Sequence, residues 1–247
     1  MSGGWGRHRV RNGRVIGTPR VHLRLTDSTN SRARELAAAG APHGTIVTAT
    51  EQSAGRGRQG RTWSAPAGSS LLLSLVLRDP PQMLPLAAAV AVAEVVGEDA
   101  AIKWPNDVVV EQPRPAKVAG ILVEGRVQER WAVLGIGLNV AVRLEDLPPE
   151  LQPAGSRPAA TMGRSPDQLE ATLATLLDAL ETRLAEPAEA TLQAWRARDA
   201  LLGREIAWSG GSGVARGLDG AGRLIVEEAG GRRTELAAGE VHLQRVG

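Results

Sequence analysis

The chain has 247 residues, with 29 Lys plus Arg against 27 Asp plus Glu, no Cys, Phe or Tyr, and a pI near 9.8. A net charge of +2 is no large cationic excess, so composition does not demand a nucleic-acid partner, and the absence of cysteine excludes disulfides and thiolate metal sites. No window is apolar for long enough to span a bilayer, and Arg7, Arg9, Arg11 and Arg14 are not followed by the apolar run of a signal peptide, so a soluble cytoplasmic protein is expected.

Residues 1–15 are Gly- and Arg-rich and read as a flexible arm, too short for a winged-helix DNA-binding domain; no DNA partner and no membrane are expected. From Val21 the alternation Val-His-Leu-Arg-Leu predicts a strand, and Thr26–Asn30 open a helix from Ser31 to Ala39 that Gly40 ends. Gly44–Glu51 predicts a second strand, and Gln52–Trp63, without periodicity, a loop. Ser70–Leu77 reads as a buried strand and Leu86–Val96 as an Ala-rich helix. Ala101–Trp104 and Val108–Val110 predict two short strands around Pro105-Asn106-Asp107, and Lys117–Val127 with Trp131–Val142 a longer antiparallel pair. Helices are expected over Pro166–Leu184 and Ala188–Leu201, then short strands at Glu205–Trp208, Ser212–Leu218, Leu224–Glu228, Arg232–Leu236 and Val241–Gln244, which suggest a small barrel. There is no internal repeat.

The chain has only two lysines, Lys103 and Lys117, while arginine serves at every other cationic position. An ammonium is a compact point charge with three donors and a guanidinium a broad planar fork, so these two positions are the first suspects for chemistry. Three of the four asparagines, Asn30, Asn106 and Asn139, fall in the same segments. Gly55–Arg61 packs three glycines and three arginines into seven residues. Glycines let successive N–H groups turn inward as an anion nest, and arginines add charge-assisted bonds to phosphate or carboxylate. A solvated loop or an RNA-contacting Arg-Gly tract fits that segment equally well. Lys103-Trp104-Pro105-Asn106-Asp107 gathers an ammonium, an amide and a carboxylate within one turn, although an Asx-capped β-turn has the same composition. Lys117–Glu124 starts a strand with its lysine at the mouth, and Ala119 and Gly120 behind it leave room for a flat ligand.

Ser28-Thr29-Asn30, Gln52 with Gly55–Arg61, Lys103–Asp107, Lys117–Glu124 and Gly135–Val140 occur in the order and approximate spacing of the bacterial biotin–protein ligases, which the chain resembles from about Ile16 to its C-terminus, in the form without an N-terminal DNA-binding domain. The resemblance implies an α+β fold: a class II synthetase-like catalytic domain with a mixed, largely antiparallel sheet and helices over 16–201, and an SH3-like β-barrel over 202–247. It implies an enzyme that makes biotinoyl-5'-AMP from biotin and ATP and transfers biotin to a lysine of a biotin carboxyl carrier protein domain. Mg²⁺ would accompany ATP with no metal ligand identified, and a homodimer is compatible with the family.

By the same resemblance Ser28, Thr29, Asn30 and Gln52 face the ureido ring, and Trp63, Gly120, Gly135 and Gly137 wall the ring and tail. Gly55, Arg56, Gly57 and Arg58 close over the biotin carboxylate and α-phosphate. Lys117 bridges those two groups, and with Arg58 it is the catalytic candidate. Arg61, Lys103, Asn106, Asp107 and Asn139 serve the ATP end. Two departures stand out: no aromatic follows Asn139 before Met162 to stack on adenine, leaving aliphatic residues or Arg157, and the Pro-rich Glu111–Ala116 turn could shift the reach of Lys117. A lipoate or octanoyl ligase of the same fold and an Arg-rich nucleic-acid-binding module are the competing readings. The second leaves Lys103–Asp107 unexplained and lacks an aromatic platform for single strands.

Overall fold

The computed structural model describes residues 16–243 apart from 112, 113, 127, 128, 157, 238 and 240, so the arm at 1–15, Arg157 and the end of the last expected strand lie outside the described residues. Seven strands form one mixed sheet: β1 (Arg20–Thr26), β2 (Ile46–Gln52), β3 (Ser70–Arg78), β4 (Ala100–Lys103), β5 (Asp107–Glu111), β6 (Pro115–Arg126) and β7 (Trp131–Asn139), in the spatial order β1-β2-β3-β7-β6-β5-β4. Only β1 and β2 run parallel, joined by a crossover through α1 (Thr29–Ala38), as a parallel connection requires. The other neighbours are antiparallel.

The two faces of the sheet are covered unequally. Leu71, Leu73, Leu75 and Leu77 of β3 alternate onto the face packed by α2 (Leu84–Val96), behind which lie α3 (Leu169–Ala185) and α4 (Ala188–Arg196). Ten of the thirteen residues of α2 are buried, so its apolar character all round reflects cover on both sides: sheet on one, helices on the other. Helix α2 starts two residues before the expected Leu86 because Pro85 falls in its first turn, where a missing N–H costs nothing. On the opposite face α1 packs through Ala33 and Ala37 against Val47, Val76 and Val133. Beyond α1 that face carries the Trp63 indole and borders a cavity.

Helix α4 ends at Arg196 rather than at Leu201 as expected. Residues 198–200 leave the helix to pair with the edge strand β4: Ile102 N–H donates to Arg198 O at 2.6 Å and Ala200 N–H to Ile102 O at 3.0 Å. Satisfying an exposed sheet edge outweighs one more helical turn. The chain then forms the expected small C-terminal β unit, an antiparallel sheet of β8 (Glu205–Trp208), β9 (Gly211–Leu218), β10 (Leu224–Glu228), β11 (Arg233–Leu236) and β12 (His242–Leu243) in the order β11-β10-β9-β8-β12. Its buried side chains, among them Ile206, Ala215, Leu224 and Val226, join the same apolar cluster as α2–α4. Among the described residues no helix is long and apolar enough to cross a membrane.

Candidate active site

Strand register builds the floor of the site. Leu72 of β3 pairs with Gly137 of β7, Gly137 with Gly120 of β6, Gly120 with Asp107 of β5, and Asp107 with Lys103 of β4. Paired residues share a face, so a single row crosses five strands from an apolar end, over two glycines, to a carboxylate and an ammonium. The next row places Ser74 against Gly135 and Gly135 against Leu122. Strict alternation would turn Lys117 to the face opposite Gly120. Between Lys117 and Ala119, however, β6 carries one residue more than β5, a β-bulge, and the Lys117 ammonium comes round over Gly120, where a Cβ would stand 2.9 Å from Nζ. Lys117 Nζ sits 2.6 Å from Asp107 Oδ1 and 5.5 Å from the centroid of the Trp63 ring. The Pro-rich turn at 111–116 therefore does not carry this lysine away from the site.

At one end of the row lies a polar corner. Ser28 caps α1 without a side-chain bond to the helix. Gln52 Oε1 accepts from Thr29 N–H at 2.7 Å and from Thr29 Oγ1 at 3.0 Å, and Ser74 Oγ lies 2.8 Å from Thr29 Oγ1 and 2.6 Å from Asn30 Oδ1. Asn30 Nδ2 donates to Glu124 Oε2 at 2.9 Å. Thr29, Asn30 and Ser74 are buried, so each of these bonds is held in a low-dielectric setting where an unmade one is costly. The glycines act differently from expectation. A Cβ on Gly135 would collide with Asn30 Oδ1 and one on Gly137 with the Trp63 indole, so the space they leave is taken by these two side chains, which themselves shape the pocket wall.

The Gly55–Trp63 segment folds back on itself: Gly57 N–H donates to Arg61 O at 2.7 Å and Trp63 N–H to Gly55 O at 2.9 Å, around a turn at 58–60 in which Gln59 adopts φ 54°. The expectation of an inward-facing N–H nest is corrected to this extent, for Gly57, Arg61 and Trp63 spend their N–H groups inside the hairpin. Arg56 Nη2 lies 2.9 Å from Glu124 Oε1, and Arg58 Nη1 donates to Asn106 Oδ1 at 3.2 Å. Asn106 in turn donates from Nδ2 to Ile121 O at 2.8 Å, so the Trp104–Asp107 turn is clasped to β6. Burial lowers the Arg58 guanidinium below its ordinary value, Asp107 opposing and Arg61 reinforcing that shift. Burial likewise lowers the Lys103 ammonium; Asp107 opposes this, while Lys117 and Arg61 add to it. Arg58, Arg61, Lys103 and Lys117 thus gather around the single carboxylate of Asp107 at this end.

Most of these groups, from Thr29, Asn30 and Gln52 to Arg58, Lys103 and Lys117, line one cavity of about 1400 Å³, with Ser74 and Glu124 behind its wall. The biotin/lipoate A/B protein ligase family profile matches residues 22–140. The biotin–[acetyl-CoA-carboxylase] ligase of Mycobacterium tuberculosis is 35% identical over 242 residues, covering 89% of this chain and 87% of that protein. The chain belongs to the biotin–protein ligase family. The Paracoccus denitrificans biotin–[acetyl-CoA-carboxylase] ligase is 34% identical, over 87% of this chain and 97% of its own. The bifunctional ligase/repressor BirA of Bacillus subtilis is 37% identical over 62% of this chain, a match that spans about half of BirA's length. Among solved structures, the Aquifex aeolicus biotin protein ligase in complex with biotin and ATP superposes with a TM-score of 0.76 at 27% identity, over 92% of this chain and 99% of that one.

Within this member of the biotin–protein ligase family, the cavity collects Ser28, Thr29, Asn30, Gln52, Arg56, Gly57, Arg58, Arg61, Trp63, Lys103, Asn106, Asp107, Lys117, Gly120, Gly135, Gly137 and Asn139. Gly55 stands behind them against Gln52 and Trp63. Asn139 is committed to the protein: its Oδ1 accepts from Ser70 Oγ at 3.2 Å and its Nδ2 donates to Ala160 O at 2.9 Å, fastening the returning segment to β7. Sequence reasoning missed Ser74, whose signal was one serine inside an otherwise aliphatic stretch, and Glu124, whose motif was noted without a role. It also missed the C-terminal unit's share in the cavity wall: Gly203, Arg204, Glu205 and His242.

Proposed function

We propose that the chain is an ATP-dependent biotin–protein ligase that first joins biotin to AMP and then passes it to a lysine of a biotin carboxyl carrier domain. One observation carries the reading: a polar corner and a cationic cluster stand at opposite ends of a flat glycine-floored row in one cavity. Ser28, Thr29 and Gln52 offer the hydroxyl and amide groups that a ureido ring, with two donors and one acceptor, requires. The Trp63 face and Leu72 supply apolar cover for the bicycle and valeryl chain.

In the first step a biotin carboxylate oxygen attacks the α-phosphorus of ATP, the bond to the β,γ-phosphates breaks, and pyrophosphate departs with that bonding pair. Both reactants are anions, so their approach is the barrier the site must lower. Lys117 sits where it can bond to both, leaving Asp107 to do so, while Arg56 and Arg58 stabilise charge gathering on the equatorial oxygens. Lys103, Arg61 and Arg58 receive the leaving pyrophosphate. In the second step the neutral carrier amine attacks the acyl carbon of the mixed anhydride, AMP leaves with the C–O bonding pair, and the amine proton passes to solvent. Water is the competing nucleophile, and the Gly55–Trp63 hairpin closes the cavity against it.

Mg²⁺ characteristically keeps several waters and takes one or two carboxylates beside substrate phosphates. The lining offers two carboxylates, Asp107 and Glu205, and the described residues hold no denser acidic or His cluster, a donor set that fits an ion arriving with ATP. When bound it would neutralise phosphate charge, with Asp107 as its protein contact. The adenine lies against Leu147, Leu151 and Ala159, which stand in for an aromatic platform. A cytoplasmic location fits this reading, since ATP is its substrate.

Pyrophosphate release tests the reading. Incubation with ATP should release pyrophosphate with biotin and not with lipoate or octanoate. Release with either of the latter at a rate matching biotin would assign the chain to the lipoate branch, and release with none would remove the ligase assignment.

A further inference from the structure

Glu124 is the one charged residue of the Lys117–Glu124 motif that the reaction above leaves without a task. It does not line the cavity, yet it touches two residues that do. Its Oε2 accepts from Asn30 Nδ2 at 2.9 Å and its Oε1 pairs with Arg56 Nη2 at 2.9 Å, with exposed Arg34 farther off at 3.6 Å. The Glu124 side chain is 20% exposed and that of Arg56 43%, so the carboxylate is largely shielded, and its bond from Asn30 fixes it on the side away from solvent. On its other side Asn30 accepts from Ser74 Oγ at 2.6 Å. An unbroken chain, Ser74 to Asn30 to Glu124 to Arg56, thus runs from the sheet through the ring end of the pocket to the anion-binding hairpin.

Arg56 is flanked by Gly55 and Gly57. The hairpin holds the backbone on both sides of Arg56, but its long side chain keeps several rotatable bonds that the main chain does not set. We propose that Glu124 is a positioning residue: from behind the cavity wall it holds the Arg56 guanidinium beside the ring corner and ties that arginine to Asn30, so that filling the ring corner steadies the group that must meet the carboxylate. A single contact of Arg56 is used in this way, and a guanidinium's remaining donors are left for the ligand. The proposal rests on the ligase reading, and it assigns Glu124 no contact with substrate.

A double-mutant cycle tests it, with biotin-dependent pyrophosphate release as the readout. Glu124→Gln keeps side-chain size and an oxygen to accept from Asn30 but removes the charge that holds Arg56. Its kcat/KM for biotin should fall about tenfold, and in an Arg56→Gln background the same change should have less than a twofold further effect. A second readout is escape of the activated intermediate, seen as biotin appearing on lysines of an added bystander protein; it should rise with Glu124→Gln and not rise further in the double variant. If Glu124→Gln does not yield soluble protein, Glu124→Asp retains the charge one methylene short and should show a smaller loss, again absent without Arg56. Activity of Glu124→Gln within twofold of wild type, or losses that multiply independently of Arg56, would overturn the proposal. An inactive wild-type protein would instead overturn the ligase reading.

Discussion

Lys117 is proposed to meet both the carboxylate and the α-phosphate, a role that rests on the shape of its side chain as much as on its charge. Its pair with Asp107 is about a third exposed on the lysine side, and an ion pair at such a site stabilises a fold by no more than about 1 kcal/mol. Its value is positional. The ammonium stands above Gly120, beside Asp107 and over the Trp63 ring, where an arginine fork has no comparable room. Lys117→Arg therefore preserves charge and removes the contact; pyrophosphate release should fall by about 10²–10³, the typical loss of one preorganised charge stabiliser, with little change in melting temperature. Single-turnover kinetics with saturating biotin and ATP would measure this, and a loss below about fivefold would remove Lys117 from the reaction centre.

At the scale of elements, the candidate site residues that the cavity gathers were readable because they break local patterns. Lysines in an arginine-rich chain, a Gly-Arg run without periodicity and a lone Pro-Asn-Asp turn all resist a packing explanation. The strands around them were readable as short aliphatic runs bounded by Gly, Pro and polar residues. What the sequence did not disclose depends on register. The bulge that swings Lys117 onto the Gly120 face arises from pairing between β5 and β6, and the clash that makes Gly135 necessary arises from Asn30, over a hundred residues away in the chain. Helix α4 was overestimated for the same reason, since 198–200 serve the edge of β4 and local propensity knows nothing of that edge.

That junction carries a cost. Asp199 Oδ1 accepts from Leu201 N–H at 2.8 Å, but Oδ2 is buried with no hydrogen-bond partner among the described residues, and burial raises its carboxyl above the ordinary 3.8, the Leu201 and Leu202 N–H groups opposing. A carboxyl raised on folding binds more protons in the native than in the unfolded state, so stability falls as pH climbs from about 4 through the native value and the full penalty is present at neutral pH. Asp199→Asn should consequently raise stability at pH 7 by about 1 kcal/mol, or about 3 °C in Tm, with a smaller gain at pH 4. Thermal denaturation at the two pH values checks this; equal gains at both would mean that the charge is not the cause.

Across the whole molecule, the C-terminal sheet and the seven-stranded sheet share both a core and a cavity. Trp104 Nε1 donates to Gly222 O at 3.2 Å, so the turn bearing Lys103 and Asp107 is braced by the C-terminal unit. His242 arrives at the cationic end of the cavity, where burial and the charges of Lys103 and Arg61 hold its imidazole below the ordinary 6.5. A triphosphate placed there reverses that repulsion and raises His242 and Lys103 together. Between the lowered and the raised values the protein must take up protons as it binds ATP, with the His242 contribution vanishing in acid, where the imidazole is already charged. Calorimetry of ATP binding in buffers of different ionisation heat should register uptake of a fraction of a proton, and His242→Gln should abolish most of it; no buffer dependence would show that His242 does not sense the phosphates.

The central claim is spatial: ring at the Thr29–Gln52 corner, acyl phosphate under Lys117. A crystal structure with a non-hydrolysable alcohol or sulfamoyl analogue of biotinoyl-AMP tests it most directly. The account predicts the ureido group within hydrogen-bond reach of Ser28, Thr29 and Gln52, Lys117 displaced from Asp107 onto the phosphate or its surrogate, and adenine against Leu147 and Ala159. A ligand lying with its ring among Lys103, Arg61 and His242, or with Lys117 still paired to Asp107 and untouched by it, would contradict the account.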